Sequence, residues 1–279
     1  MSIMVQAVGT LAMQVAMEAN FAEEMLCFGR ALPGGEVHEG PELAWFYTGR
    51  PRLNGVTRTH LGREEEAYVE QKITEVLAFF AARNTRFGWG ISPVTRPTRL
   101  ATFLERRGFT KVGEDNNMAI DIHTMNEAIA SPSNLVVREI QDAEMLKLQR
   151  DISIHGFGSE PGGAQTYYEN FVANGFGNGT PWHHYIGWLG VEPVAMASLL
   201  LHAGVAGIYG VATMPQARKQ GVGAAMTLHT MRVAHTLGYR VAILSPSDMG
   251  ANVYRAIGFQ EVGTAYYYRS PLPTTDKNE

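Results

Sequence analysis

The chain has 279 residues, with 27 acidic against 23 basic side chains and a formal charge of −4. That length predicts one large or two ordinary domains, each able to bury a core, and the lack of a basic excess argues against a nucleic-acid or anionic-membrane partner. Cys27 is the sole cysteine, which excludes an internal disulfide or a cysteine-based zinc cluster and suits a reducing cytoplasm; neither a leader pattern nor a run of about 18 apolar residues argues for secretion or a membrane span.

In chain order, Gly55-Val56-Thr57 reads as a strand before a helix from Glu64 to Ala82. A strand-like Phe87–Pro93 follows, then a short helix Leu100–Arg107, and then Gly108-Phe109. The stretch HTMNEAIASPSN, residues 123–134, is linker-like. Beyond it, Asn134–Ile140 alternates as a strand, and Asp142 is placed to cap a helix carrying Glu144, Leu146, Leu148 and Ile152. A Gly-rich loop is expected over His155–Gly163, then a helix with Tyr167, Tyr168, Phe171 and Val172. Two strands joined at Gly190–Pro193 and a third in AGVAGIYGVAT follow. A helix over 222–237 ends at Gly238, a buried strand spans Tyr239–Leu244, and a short helix Gly250–Ile257 closes at Gly258. Phe259–Arg269 is read as two closing strands, with a disordered tail after Ser270. The segments GFTKVG at 108–113 and GFQEVG at 258–263 differ at two places and close the same series of elements, which indicates an internal duplication.

The stretch VATMPQARKQGVGAAM, residues 211–226, carries the strongest chemical signal. Glycines at a strand-to-helix turn admit close approach to the backbone, and the free N–H groups and dipole of the helix start suit a phosphate, so an anionic cofactor is expected. A dinucleotide fingerprint fits poorly, because Met226 stands where a third glycine or an alanine belongs, and a Walker loop is excluded by the missing Gly-Lys-Ser/Thr.

The order of elements in the second half, together with Arg218-x-x-Gly221-x-Gly223 and Tyr254 followed by Gly258-Phe259, resembles the GNAT acyltransferase superfamily. The resemblance is specific over 134–269 and weak over 1–122. It implies an α+β (mixed α/β) fold of two GNAT-like domains, each a mixed, mostly antiparallel sheet flanked by helices: a degenerate domain at 1–125, a linker at 126–133 and a catalytic domain at 134–279. It further implies that the pyrophosphate of acetyl-CoA sits on the backbone N–H groups of Arg218, Lys219, Gln220, Gly221, Val222, Gly223 and Ala224, with Arg218 and Lys219 adding positive charge. Val211, Ala212 and Thr213 then lie beside the acyl group, where their N–H groups can stabilise an oxyanion. Tyr254 is the acid for the leaving thiolate, since a phenol is protonated at neutral pH; a packed aromatic at a helix end is the other reading. Ser247, where many members carry Asn, either hydrogen-bonds the pantetheine or caps the following helix.

No base announces itself. His155 and Glu160 border the acceptor site implied by the resemblance, while the adjacent His183 and His184 face opposite ways and cannot share a metal from one side. His229 reads as a half-buried helix histidine, His202 as a turn residue, and Tyr266, Tyr267 and Tyr268 as strand residues that can line a pocket. The first half lacks the chemistry: it has TRTHLGREEEAYVEQK where the second has its glycine turn, glutamates that repel a pyrophosphate, and Leu104 in the place of Tyr254. The function expected is acyl-CoA-dependent N-acyl transfer, from acetyl-CoA to a primary amine of a small molecule by direct attack. The alternative is a non-catalytic CoA-thioester-binding regulatory module. No metal, nucleic acid or membrane is expected, the setting is the cytoplasm, and a homodimer is the assembly allowed for.

Overall fold

The computed structural model describes residues 4–177 and 179–272. In chain order the first elements are α1 (Leu11–Ala31), β1 (Glu36–Glu39), β2 (Leu43–Tyr47), β3 (Gly55–Thr59), α2 (Glu66–Ala81), β4 (Gly88–Ile91), α3 (Leu100–Arg106) and β5 (Thr110–Asp121). They continue as β6 (Leu135–Glu139), α4 (Ala143–Phe157), α5 (Pro161–Asn174), β7 (Trp182–Leu189), β8 (Glu192–His202), β9 (Val205–Thr213), α6 (Val222–Thr236), β10 (Val241–Leu244), α7 (Ala251–Ile257) and β11 (Gln260–Arg269). The fold is mixed α and β. It packs as two units, one of residues up to Asn20 with Asn116–Val262, the other of Phe21–Asp115 with the residues from Gly263. The chain passes between them within α1, β5 and β11. The linker 126–133 therefore lies inside the first unit, because the end of β5 pairs with β10, Met118 opposite Leu244 and Asp121 opposite Val241.

In the first unit the strands run in the order β5-β10-β9-β8-β7-β6, antiparallel except for the β9–β10 pair. That parallel pair needs a crossover, which α6 supplies. β8 is apolar and buried over most of its length, as a strand covered on both faces should be. Its turn into β9 sets Ala203 and Gly204 at φ of +54° and +80°, the left-handed pair that matches the twist of a two-residue hairpin. Asp142 caps α4, its carboxylate accepting from Met145 N–H at 2.7 Å. Ala195 and Ala197 of β8 are fully buried in one core with Met226 and Met231 of α6, small residues below long flexible ones.

In the second unit the order is β1-β2-β3-β4-β11, with β3 and β4 parallel and the other pairs antiparallel. Val69, Ile73, Val76 and Phe80 form one buried stripe of α2 at helical spacing. They pack into a core with Trp89, Phe87, Phe103, Phe109 and the buried Leu104.

Three readings change. Helix α4 runs through His155 to Phe157, so the Gly-rich loop shrinks to Gly158–Glu160. The helix persists because Gly156 lies against β9, where a Cβ would stand 3.1 Å from Ala212 Cβ. Phe259–Arg269 contains one strand, β11, which runs through Gly263 without a turn. Helix α1 and strands β1 and β2 were not foreseen. The tail assigned to disorder lies, from residue 273, outside the described residues.

Candidate active site

β9 and β10 are paired only at Ala206–Ala242 and Gly207–Ile243. From Ile208 onward β9 has no partner on that side among the described residues, so the sheet opens into a gap. On its other side β9 pairs with β8, but Ala212 faces Met196 and Tyr209 faces Ser198, leaving Gly210 and Val211 opposite the single Ala197. That is a β-bulge, with Gly210 at φ +58°. Met214 N–H donates to Val194 O at 2.8 Å. By alternation Ala212 faces β8 as well, and the Thr213 amide faces the gap.

The turn that follows holds unbonded donors. Among the described residues no protein group accepts from the N–H groups of Lys219 through Ala224, whereas Arg218 N–H donates to Pro215 O at 3.3 Å and Ala225 N–H to Gly221 O at 3.0 Å. Lys219 and Gly221 both have left-handed φ, +59° and +81°, a conformation that gathers successive N–H groups into an anion-binding concavity. The two glycines differ in cause. A Cβ on Gly223 would meet only Thr213 Oγ1, at 3.6 Å, so the helix start is open to an approaching group. A Cβ on Gly221 would stand 2.0 Å from Ala130 O, so the linker segment by itself forbids a side chain there. The Arg218 guanidinium is engaged with the carbonyls of Thr213 and Gly156.

Tyr254 is buried in the core of the first unit, edge-on to Phe259. Burial of the ring pushes its hydroxyl up to about 12, and no described residue hydrogen-bonds that hydroxyl. Ser247 Oγ and Tyr254 Cζ lie 3.4 and 3.5 Å from the point where a Cβ on Gly250 would stand, so both flank that glycine. The Ser247 side chain does not cap α7, whose N-cap is Gly250; its carbonyl instead accepts from the N–H groups of Gly250 and Ala251.

Residues 202–262, which hold β9, the turn, α6, β10 and α7, match the acetyltransferase (GNAT) domain family. That stretch matches the GNAT family, and the fold of the chain is GNAT-like. Its fold is similar to a GCN5-related N-acetyltransferase from Kribbella flavida, with 20% identity, 95% of this chain and 97% of that one covered and a TM-score of 0.72. A GCN5-related N-acetyltransferase from Sphaerobacter thermophilus is similar over 93% of this chain and 91% of its own, with 16% identity and a TM-score of 0.64. A tandem GNAT protein from the clavulanic acid biosynthesis pathway, in its form without AcCoA, is similar over 95% and 96%, with 12% identity and a TM-score of 0.65. No curated protein matches.

Within this GNAT fold the gap, the bulge and the turn form one continuous stretch of chain, and Ser247 and Tyr254 stand together on the connection after β10. His155, on the last turn of α4, and Glu160, the N-cap residue of α5, are both exposed. The histidine pair does split across the sheet. His183 Nδ1 lies 2.7 Å from Glu139 Oε1. His184 is fully buried, its Nδ1 2.7 Å from Ser198 Oγ, which also accepts from Gln149 Nε2 at 2.8 Å. Burial, foremost, pushes His184 down to about 3, so it is neutral. His229 packs edge-on against Tyr185 and is lowered by burial first, while His202 ends β8. The Gln149–His184–Ser198 cluster was not read from the sequence; its signal was a histidine at an inward strand position, in register with Ser198. Among the described residues no group of three or more His, Cys, Asp or Glu could hold a metal ion, and no helix is long and apolar enough to cross a membrane.

Proposed function

We propose that this chain is an acyl-CoA-dependent N-acyltransferase that moves acetyl from acetyl-CoA to a primary amine of a small molecule, in the cytoplasm, by direct attack. The observation that carries the reading is the run of unbonded N–H groups from Lys219 through Ala224 beside an open strand gap. Such donors fit a pyrophosphate, and the space over Gly223 admits one. The cosubstrate supplies an activated acyl group as a thioester. In this reading the Thr213 N–H, with Val211 at the bulge, polarises the carbonyl oxygen, whereas Ala212, turned toward β8, does not take the part expected of it; Tyr254 holds a proton for the leaving sulfur and Ser247 hydrogen-bonds the pantetheine. His155 or Glu160 takes the proton of the ammonium.

The repeat assignment belongs to the same proposal: a degenerate copy at 1–125, joined through 126–133 to a catalytic copy at 134–279. In the second unit β3 and β4 also pair at only two positions, Gly55–Gly88 and Val56–Trp89. There the chain closes the opening itself, with Arg96 N–H donating to Thr59 O at 2.9 Å and Leu61 N–H to Arg96 O at 3.0 Å. Glu65 and Glu66 stand at the start of α2, where negative charge opposes an anion.

Titration calorimetry with acetyl-CoA should give one site per chain. A panel of small amines, followed by release of free thiol, should then find an acceptor. Binding without transfer to any amine would favour the alternative, a regulatory module that holds the thioester, and no binding would exclude both.

A further inference from the structure

Arg218 touches both sides of the proposed site. Its Nε donates to Thr213 O at 3.2 Å, at the end of β9, and its Nη2 donates to Gly156 O at 2.8 Å, in the last turn of α4. Carbonyls in a last helical turn lack intrahelical donors and sit at the negative end of the dipole, so a guanidinium there is a charge-assisted cap. Besides the packing of Gly156 against Ala212 of β9, this end of α4 is held by a few local contacts. Gly158 N–H donates to Ser153 O, the Ser153 and Ser159 hydroxyls are 3.0 Å apart, and α5 begins at Pro161. Immediately after Arg218 comes Lys219, at φ +59°, the first of the unbonded N–H groups.

We propose that Arg218 is a positioning residue that couples the cofactor turn to the acceptor wall. Pyrophosphate held by Lys219–Ala224 fixes the backbone of Arg218, which strengthens its hold on Gly156 and orders residues 153–163, so the wall is completed after the acyl donor binds. This rests on the cofactor reading given above. Coupling of this kind is reciprocal: an amine that orders 153–163 tightens acetyl-CoA by the same factor. Two acceptors on different elements call for the forked guanidinium; a lysine can serve one well, and a glutamine carries no charge.

The test is hydrogen–deuterium exchange on the full chain, with and without saturating acetyl-CoA, for wild type, Arg218→Gln and Arg218→Lys. Thermal melts check that the variants fold, and calorimetry measures binding. Wild type should slow exchange both at 219–224 and in the last turn of α4, the latter by about tenfold, the scale of one bond to a charged group. Affinity for acetyl-CoA can fall in the variants, so each is compared at a concentration that calorimetry shows to saturate it; Arg218→Gln should then lose the second effect, and Arg218→Lys should restore part of it. Equal protection of α4 in Arg218→Gln overturns the proposal, as does a wild type that binds acetyl-CoA without protecting α4. A wild type silent in calorimetry removes the cofactor reading and this proposal together.

Discussion

A tyrosine whose hydroxyl is pushed up to about 12 by burial keeps its proton through the neutral and mildly alkaline range. As the acid of the proposed transfer, Tyr254 should therefore give no alkaline fall in turnover until pH nears 12. Tyr254→Phe keeps the ring against Phe259, so acetyl-CoA affinity should hold while turnover falls about a hundredfold, the low end for a general acid because thiolate is a good leaving group. Steady-state kinetics across pH decide this; a descending limb near pH 9 that vanishes in the variant would contradict the burial. The sign for stability is that the raised hydroxyl contributes fully below its ordinary value near 10, and the contribution is lost as pH rises through 12. His184 behaves oppositely. Its folded value near 3 lies below 6.5, so the unfolded chain takes up a proton that the fold excludes. That contribution is full above pH 6.5 and is lost as pH falls through 3. Urea unfolding between pH 7 and 4 should show falling stability in wild type and a shallower slope in His184→Gln. Sequence alone located Tyr254 through its spacing to Gly258-Phe259. It did not reveal the burial of His184, which depends on Trp182 and Phe171 closing over it.

The elements from β9 to α7 were the most legible, because they are strongly apolar and the two helices among them, α6 and α7, are closed by glycines of positive φ, Gly238 and Gly258. Those glycines have local causes that sequence displays. The strand β2, LAWFY, is buried along its length without alternation, so its period says nothing. Likewise the end of α4 was read as loop because HGFG looks like one, while its helical state depends on packing against Ala212. Gly221 is the instructive case, since spacing singled out the residue while one reason for its being glycine, the contact with Ala130, comes from a segment far away in the chain. Gly221→Ala should lower stability by at least about 1–2 kcal/mol, the strain of a left-handed backbone, before its contact with Ala130 is counted. Gly223→Ala should be neutral or gain up to about 1 kcal/mol from helix propensity. Gly223→Glu should fold yet lose acetyl-CoA, through bulk and charge at the helix start. Chemical denaturation and calorimetry on the three variants separate these outcomes; full affinity in Gly223→Glu moves the cofactor away from this turn.

At the scale of the chain, a cut at the sequence repeat does not isolate the first unit. Residues 130–279 lack Met118–Asp121, which pair one for one with Leu244–Val241, and they lack Asn20. The buried Asn20 side chain donates to the carbonyls of Leu200, His202 and Val205 and accepts from the Tyr209 hydroxyl. The fragment should accordingly melt earlier and less cooperatively than the full chain in circular dichroism, and Asn20→Ala in the full chain should cost about 1–3 kcal/mol. A fragment as stable as the whole would show the missing residues to be dispensable. The closed opening of the second unit bears on ancestry. If both halves descend from one cofactor-binding ancestor, the loss in this half is written into main-chain bonds between Arg96, Thr59 and Leu61, and not only into the glutamates before α2. Reverting Glu64, Glu65 and Glu66 to glycines would remove the repulsion and leave the doorway sewn shut. Exchanging side chains then offers no route back, because the seam is made of main-chain groups centred on Arg96 that a new side chain leaves in place, and the second half is free to drift toward any role that does not require a thioester.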